Sequence, residues 1–167
     1  MRRIVKLIII INILVQFSYA QTVKTVVEFN AVVDSIQQRL DVAEKEFDSL
    51  IGKPFSELVT LLEKCDIKIY QVSVSQEDRF IPHKLALGIT LWLTSQEHRD
   101  FAFRNNVWGP TIFVLFTDGK PSEESLRVTR ESGFTKEMEE FFADAEMKYL
   151  FINSPEKQRR RVLENQK

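Results

Sequence analysis

The sequence has few of the residues on which cross-links and metal sites depend. Its 167 residues include one cysteine, Cys65, and two histidines, His83 and His98. A single cysteine cannot form a disulfide within the chain, so stability has to come from packing. Cys65 falls on the apolar side of a predicted helix, and a free cysteine behaves as a small hydrophobe. We therefore expect a buried, inert thiol.

The two histidines also limit the possible chemistry. His83 is predicted in a loop and His98 in a short helix, without the i,i+4 spacing or the cysteine partner of a zinc site. The sequence has no G-x-S-x-G elbow for a nucleophile, and its five glycines are not clustered into a phosphate-binding loop. We expect no catalytic residue, no metal and no cofactor. A small periplasmic hydrolase that uses His98 or His83 with a nearby acid stays an alternative.

No large excess of charge of either sign is present, because the formal net charge is −1. The only basic cluster, from Lys157 to Arg161, lies in a polar tail, residues 155–167, that contains no aromatic side chain. Nucleic-acid binding proteins usually concentrate positive charge on the folded domain. We therefore expect no nucleic-acid partner and a solvated tail.

Long apolar runs are confined to the N-terminus. Arg2, Arg3 and Lys6 precede an apolar run over residues 7–17, and residues 18–20 (SYA) place small residues at the −3 and −1 positions of a cleavage site. This pattern is typical of a signal peptide over residues 1–20, with an uncleaved anchor as the alternative. Its removal leaves 20 Lys and Arg against 24 Asp and Glu, a net charge of −4. We expect a periplasmic or extracellular protein with one domain, residues 21–154, and no membrane span after cleavage.

After residues 1–20, apolar residues recur every three or four positions and form a stripe. This spacing predicts a long amphipathic helix over residues 29–50. Its members are Phe29, Val33, Ile36, Leu40, Ala43, Phe47 and Leu50. The heptad spacing allows self-association through this helix, but its Ala and Phe residues pack more naturally on a sheet. We therefore favour a monomer over a dimer.

Gly52 and Pro54 predict the end of this helix and the start of a second one. Glycine adopts the left-handed backbone that ends many helices, and proline suits the first turn of the next helix. The second helix has an apolar face made of Phe55, Leu58, Val59, Leu62 and Cys65. Two helices joined so tightly have to cover a common apolar surface.

Alternating or continuous apolar runs predict strands over residues 66–74, 85–94, 111–117 and 147–152. In the second run, Leu85, Leu87, Ile89, Leu91 and Leu93 are predicted on one face. Short helices are predicted over residues 95–104, opened by a Thr94–Glu97 capping box, and over residues 135–146. Residues 121–132 fit either a helix or an edge strand. The predicted fold is α+β, with two N-terminal helices packed on a mostly antiparallel sheet of about four strands and one or two further short helices.

The helix-entry string of residues 50–58 (LIGKPFSEL), with the later strand GITL and the helix start TSQE, resembles small exported proteins common in Bacteroidota. The resemblance covers most of the chain after residue 20 and implies an α+β fold, with no assigned activity. The order of helices and strands is also similar to the repeat unit of beta-lactamase-inhibitor-like exported domains. That resemblance implies a sheet face that binds proteins.

Four aromatic residues are the candidate binding site: Tyr70, Trp92, Trp108 and Phe113. If the helices cover the leucine face of the 85–94 strand, Trp92 points to the other face. Partly exposed aromatic side chains favour recognition of proteins or sugars. The alternative is that the 121–132 segment or the 135–146 helix covers these rings as a second core layer. We expect an exported, non-catalytic binding protein with a protein or small-ligand partner.

Overall fold

The computed structural model describes residues 23–75, 85–130 and 133–155. The chain forms helices and strands in the order α1 (Val26–Ala43), α2 (Phe47–Leu50), α3 (Phe55–Lys64), β1 (Gln71–Ser75), β2 (Leu85–Trp92), α4 (Gln96–Arg104), β3 (Thr111–Pro121), α5 (Ser122–Val128), α6 (Lys136–Phe142) and β4 (Met147–Asn153). The predicted α+β class is confirmed, with three short helices where one or two were expected. The predicted signal peptide and nearly all of the predicted tail lie outside the described residues.

The four strands form one sheet in the order β1-β2-β3-β4, and each strand is antiparallel to its neighbour. One face of this sheet carries the buried core residues Val72, Ile89, Leu91, Ile112, Val114, Leu150 and Ile152. Val72 pairs with Leu91, Leu91 with Ile112, and Ile112 with Ile152. We call this the inner face, because it shares one hydrophobic cluster with α1, α2, α3, α5 and α6.

The first helix begins at a capping box. The Glu28 backbone N–H donates to the Thr25 hydroxyl at 3.2 Å, and the Thr25 N–H donates back to the Glu28 carboxylate at 3.1 Å. These bonds satisfy donors that lack partners in the first turn. A 3₁₀ turn, Glu44–Glu46, leads from α1 into α2. All seven residues of the predicted stripe are buried within the chain itself, so the expected internal packing is confirmed.

The two ends of α1 pack on different partners. Phe29 and Val33 belong to a small cluster with Phe101 and Ala102 of α4, where the Phe29 and Phe101 rings stack at 5.8 Å. Residues from Ile36 onward belong to the main core. The long helix therefore joins α4 to the layer that covers the inner face.

The turn between α2 and α3 is tied to the start of β4. Gly52 has a φ of +79°, so the predicted left-handed backbone is confirmed. Its N–H donates to the Met147 carbonyl at 2.7 Å, and the Met147 N–H donates to the Lys53 carbonyl at 2.9 Å. The helical pair is thus fixed against the last strand by backbone bonds as well as by apolar packing.

The face prediction for Leu85 and Leu87 is wrong. They are 49% and 45% exposed, whereas Ala86 between them is buried. The β2–β3 register shifts between Ala86 and Gly88, and this irregularity interrupts the alternation of side chains. Ile89, Leu91 and Leu93 lie beyond the shift and are buried as predicted.

Several boundaries also differ from the sequence prediction. The first strand begins at Gln71 rather than residue 66, because Asp66 at φ 55° is still part of the turn after α3. The cap of α4 is Ser95 and not Thr94, since the Ser95 hydroxyl accepts the His98 N–H at 3.3 Å. Residues 122–128 of the ambiguous segment are helical.

Candidate functional site

The face of the sheet opposite the core carries aromatic side chains. We call it the outer face and define it by residues that alternate with the inner-face residues: Ser73, Gly88, Thr90, Trp92, Phe113, Leu115, Tyr149 and Phe151. Trp92, Phe113 and Phe151 are half-buried, and Tyr149 is 55% exposed. Aromatic rings thus lie on β2, β3 and β4 without being enclosed in the core.

Three of these rings contact one another. Phe113 and Phe151 are cross-strand partners with ring centroids 5.2 Å apart, and Tyr149 continues the row at 5.9 Å from Phe151. Phe113 also lies over the backbone of β2, since a Cβ atom at Gly88 would be 3.0 Å from its ring. The absent side chain at Gly88 therefore allows one aromatic patch to extend from β2 to β4.

Trp92 is held at the opposite end of this patch. Its indole N–H donates to the Ser73 hydroxyl at 2.9 Å, so the ring is oriented by a neighbouring strand. The guanidinium carbon of Arg99 lies 5.6 Å from the ring centroid, which is the geometry of a cation–π contact. Trp92 therefore presents an ordered apolar surface beside a positive charge.

Arg99 reaches the sheet from α4. One guanidinium nitrogen donates to the Thr94 carbonyl at 2.8 Å, and another donates to the side-chain oxygens of Gln71 and Gln96. Burial lowers the pKa of Arg99 from its ordinary value, and the nearby charge of Asp100 opposes that shift. All of these acceptors are neutral, so among the described residues no ion pair neutralises this cation.

Two of the four predicted site residues, Trp92 and Phe113, lie on the outer face. Tyr70 is half-buried just before β1, with the Lys68 amine 5.0 Å from its ring centroid. Trp108 is half-exposed in the loop before β3. Neither ring contacts the rings of the outer face within the described parts of the chain. The structure therefore does not join Tyr70 and Trp108 to the patch.

Sequence reasoning missed three members of this region: Tyr149, Phe151 and Arg99. The alternation of the last strand contains the signal for the two rings, because Tyr149 and Phe151 alternate with the buried Leu150 and Ile152 and must face the other way. Arg99 has no comparable signal. Its position over Trp92 depends on how α4 packs beside the sheet.

None of the residues considered for catalysis is among the eight that define the outer face. His98 is half-buried on α4, and His83 lies outside the described residues. Cys65 caps the C-terminus of α3 and is half-buried against the main core, so full burial of its thiol was a wrong prediction. In the described parts of the chain, no group of three or more His, Cys, Asp or Glu side chains is placed to hold a metal ion.

A concave region separate from the outer face lies between α3 and the segment that leads into β1. This cleft of about 350 Å³ is lined by apolar side chains of Val59, Leu62, Ile67, Ile69 and Phe134, and by the charged residues Glu63, Asp66 and Lys68. Asp66 forms an ion pair with Arg39 at 2.9 Å, which fixes the turn at its edge. The lining carries both signs of charge and no aromatic row comparable to the outer face.

Within the described ranges, no helix combines the length and apolar character needed to cross a bilayer. Comparisons of the chain with protein-family models, curated proteins and solved structures give no match.

Proposed function

We propose that this chain is an exported, non-catalytic binding protein that recognises a partner protein through its outer face. The observation that carries the proposal is the aromatic patch, in which Trp92, Phe113, Tyr149 and Phe151 stay accessible on the face opposite the core. Tyrosine, tryptophan and arginine are enriched at the centres of protein interfaces. The proposed export is supported by the signal-peptide pattern of residues 1–20.

The shape of the patch favours a protein over a small molecule. Small ligands usually occupy concave sites that enclose most of their surface. The outer face is instead a strand surface, and neighbouring strands lie about 4.8 Å apart, so its rings extend over about 10 Å across β2, β3 and β4. An extended segment or a helix of a partner can cover such a width.

The side chains of the outer face also support binding rather than catalysis. Its eight residues are aromatic, aliphatic, hydroxyl-bearing or glycine, and none is His, Cys, Asp or Glu. General acid–base catalysis needs a titratable group within hydrogen-bonding reach of the reacting atom. The one titratable side chain of the face, the Tyr149 phenol on β4, is separated by at least one intervening strand from the aliphatic hydroxyls of Ser73 on β1 and Thr90 on β2.

Photo-crosslinking in the producing cells tests this proposal. A photoreactive phenylalanine analogue at Tyr149 is expected to yield a defined protein adduct, because that position is accessible within the patch. The matched control is the same analogue at Phe103, an aromatic residue that is 78% exposed on α4 and outside the outer face. The partner identified is then purified, and its affinity for the wild-type chain and for Phe151→Ala is measured by calorimetry.

The expected result is an adduct from position 149 alone and at least about tenfold weaker binding by Phe151→Ala, the loss of one interface aromatic. Equal adducts from both positions, or unchanged affinity of Phe151→Ala, would remove the outer face as the docking surface. N-terminal sequencing of the protein recovered outside the cytoplasm checks export, and a mature start at Gln21 is expected.

A further inference from the structure

Arg99 differs from the other charged residues near the sheet because it is half-buried and contacts only neutral acceptors. A guanidinium has five N–H donors, and three hydrogen bonds are formed, to Thr94, Gln71 and Gln96. Two donors are thus left without an acceptor among the described residues. Asp100 is next along the helix, but its carboxylate accepts from the Gln96 amide at 2.8 Å.

A carboxylate is the chemical group that would complement this arrangement. Arg–carboxylate pairs are short, often bidentate and stronger than hydrogen bonds between neutral groups. The three bonds to neutral oxygens already hold the guanidinium in place, so little side-chain entropy would be lost when an anion binds. The aromatic surface beside it excludes water from one side and strengthens the attraction.

We propose that the partner presents a carboxylate to Arg99 while its apolar side chains pack on the rings from Trp92 on β2 to Phe151 on β4. This inference rests on the proposed function and specifies the chemistry of the partner. Trp92 lies on β2, and Tyr149 and Phe151 lie on β4, so these rings are about 10 Å apart across the sheet. An extended chain covers this distance with about three residues. The recognised segment is therefore an acidic residue with a large apolar residue about three positions away.

Two capped peptides test this chemistry on the full chain. The first is acetyl-Ala-Glu-Leu-Ala-Phe-Ala-amide, and the second replaces its Glu by Gln. Titration is followed by the NMR signal of the Trp92 indole N–H, assigned with the Trp108→Phe variant. The Glu peptide is expected to bind about tenfold more tightly, because a hydrogen bond from a guanidinium to a charged carboxylate is stronger than one to a neutral amide. The preference should decrease at high salt.

Variants of two arginines on α4 separate binding from a structural role. Arg99→Gln is expected to abolish the preference for the Glu peptide, and Arg99→Lys is expected to keep part of it. Arg104→Gln is the matched control, since Arg104 is exposed on the same helix and donates to the Asp100 carbonyl. It should keep the full preference. Circular dichroism confirms that each variant is folded, and the Lys variant keeps the test valid if Arg99→Gln does not fold.

Three results would overturn the inference. They are equal binding of both peptides, no binding of the Glu peptide at millimolar concentration, and an equally large shift with acetate alone. Equal binding that is still lost in Phe151→Ala would leave the proposed docking surface standing and remove only its acidic specificity. Failure of the crosslinking at position 149 would instead reject the surface itself.

Discussion

Along β2 and β3, Leu91 and Ile112 pair on the inner face and are fully buried, while Trp92 and Phe113, one residue further along each strand, remain half-buried. The two faces are similar in apolar character and different in what covers them. The inner face shares its cluster with three helices that precede β1 and two that lie between β3 and β4 in sequence. The outer face is contacted, among the described residues, by Arg99 at its Trp92 end.

Hydrophobicity alone therefore does not define the core. Large exposed apolar patches on a folded domain commonly mark interaction sites. The rings of the outer face also have features that inner-face residues lack, namely an oriented indole N–H and a neighbouring cation. These polar features suit a surface that meets another molecule.

The largest expected effect on stability is found by comparing alanine variants of two leucines on β2. Leu91→Ala removes a fully buried side chain and should lower the free energy of unfolding by about 2–5 kcal/mol. Leu87→Ala, at a 45% exposed position on the same strand, should lower it by less than about 1 kcal/mol. Urea unfolding followed by circular dichroism measures both. Similar losses in the two variants would erase the distinction between the buried and exposed positions of β2.

Gly88→Ala should have the next largest effect, because the new methyl group would lie 3.0 Å from both the Phe113 ring and the Val114 carbonyl oxygen. Overpacking of this kind costs about 1–3 kcal/mol. Chemical denaturation gives the loss, and the double variant with Phe113→Leu should recover part of it. No recovery would mean that the backbone contact, and not the ring, requires glycine here.

Tyr149→Ala should change stability little, by about 0.5–1 kcal/mol, because it removes a mostly exposed ring that contacts Phe151. Its effect on partner binding should be larger than its effect on unfolding, and calorimetry and urea titration measure the two separately. A loss of several kcal/mol in stability would show that the outer face is a second core layer.

The smallest expected effect involves Glu28 and should be visible only in how the free energy of unfolding depends on pH. The backbone N–H groups of Lys24 and then Thr25 donate to the Glu28 carboxylate and lower its pKa below the ordinary value of 4.5. Since the folded state favours the ionised form, this stabilisation is fully present above pH 4.5 and is lost as the pH falls through the lowered pKa. Urea midpoints over this window should depend less on pH in Glu28→Gln than in the wild type. An unchanged slope would contradict the capping role.

Much of the fold could be predicted from periodicity. The stripe from Phe29 to Leu50, the stop at Gly52 and the four strands are local patterns, and each reflects one repeating geometry of the backbone. The wrong predictions concern positions whose burial depends on how strands pair with one another. The register shift at Ala86 and Gly88 exposes Leu85 and Leu87 although the pattern placed them with Leu91. A sequence pattern contains no information on where a neighbouring strand changes register.

The candidate site was only half predictable for the same reason. Trp92 and Phe113 follow from alternation within their own strands, and Phe151 could have been found in that way. Arg99 could not, because its contact with Trp92 depends on the packing of α4 beside the sheet. Tyr70 and Trp108 were grouped with these rings because they were predicted in a neighbouring strand and in the loop before the 111–117 strand, and no ring contact joins them to the patch among the described residues.

The helices, the strands and most of the side chains buried on the inner face follow from local patterns along the chain, because helical and strand periodicities separate apolar from polar positions. The contacts between rings on the outer face, and the position of the cation beside them, depend on tertiary packing. Those contacts join residues of β2, β3, β4 and α4 that are distant in sequence. Their positions are set by strand register and helix packing, which no single segment specifies.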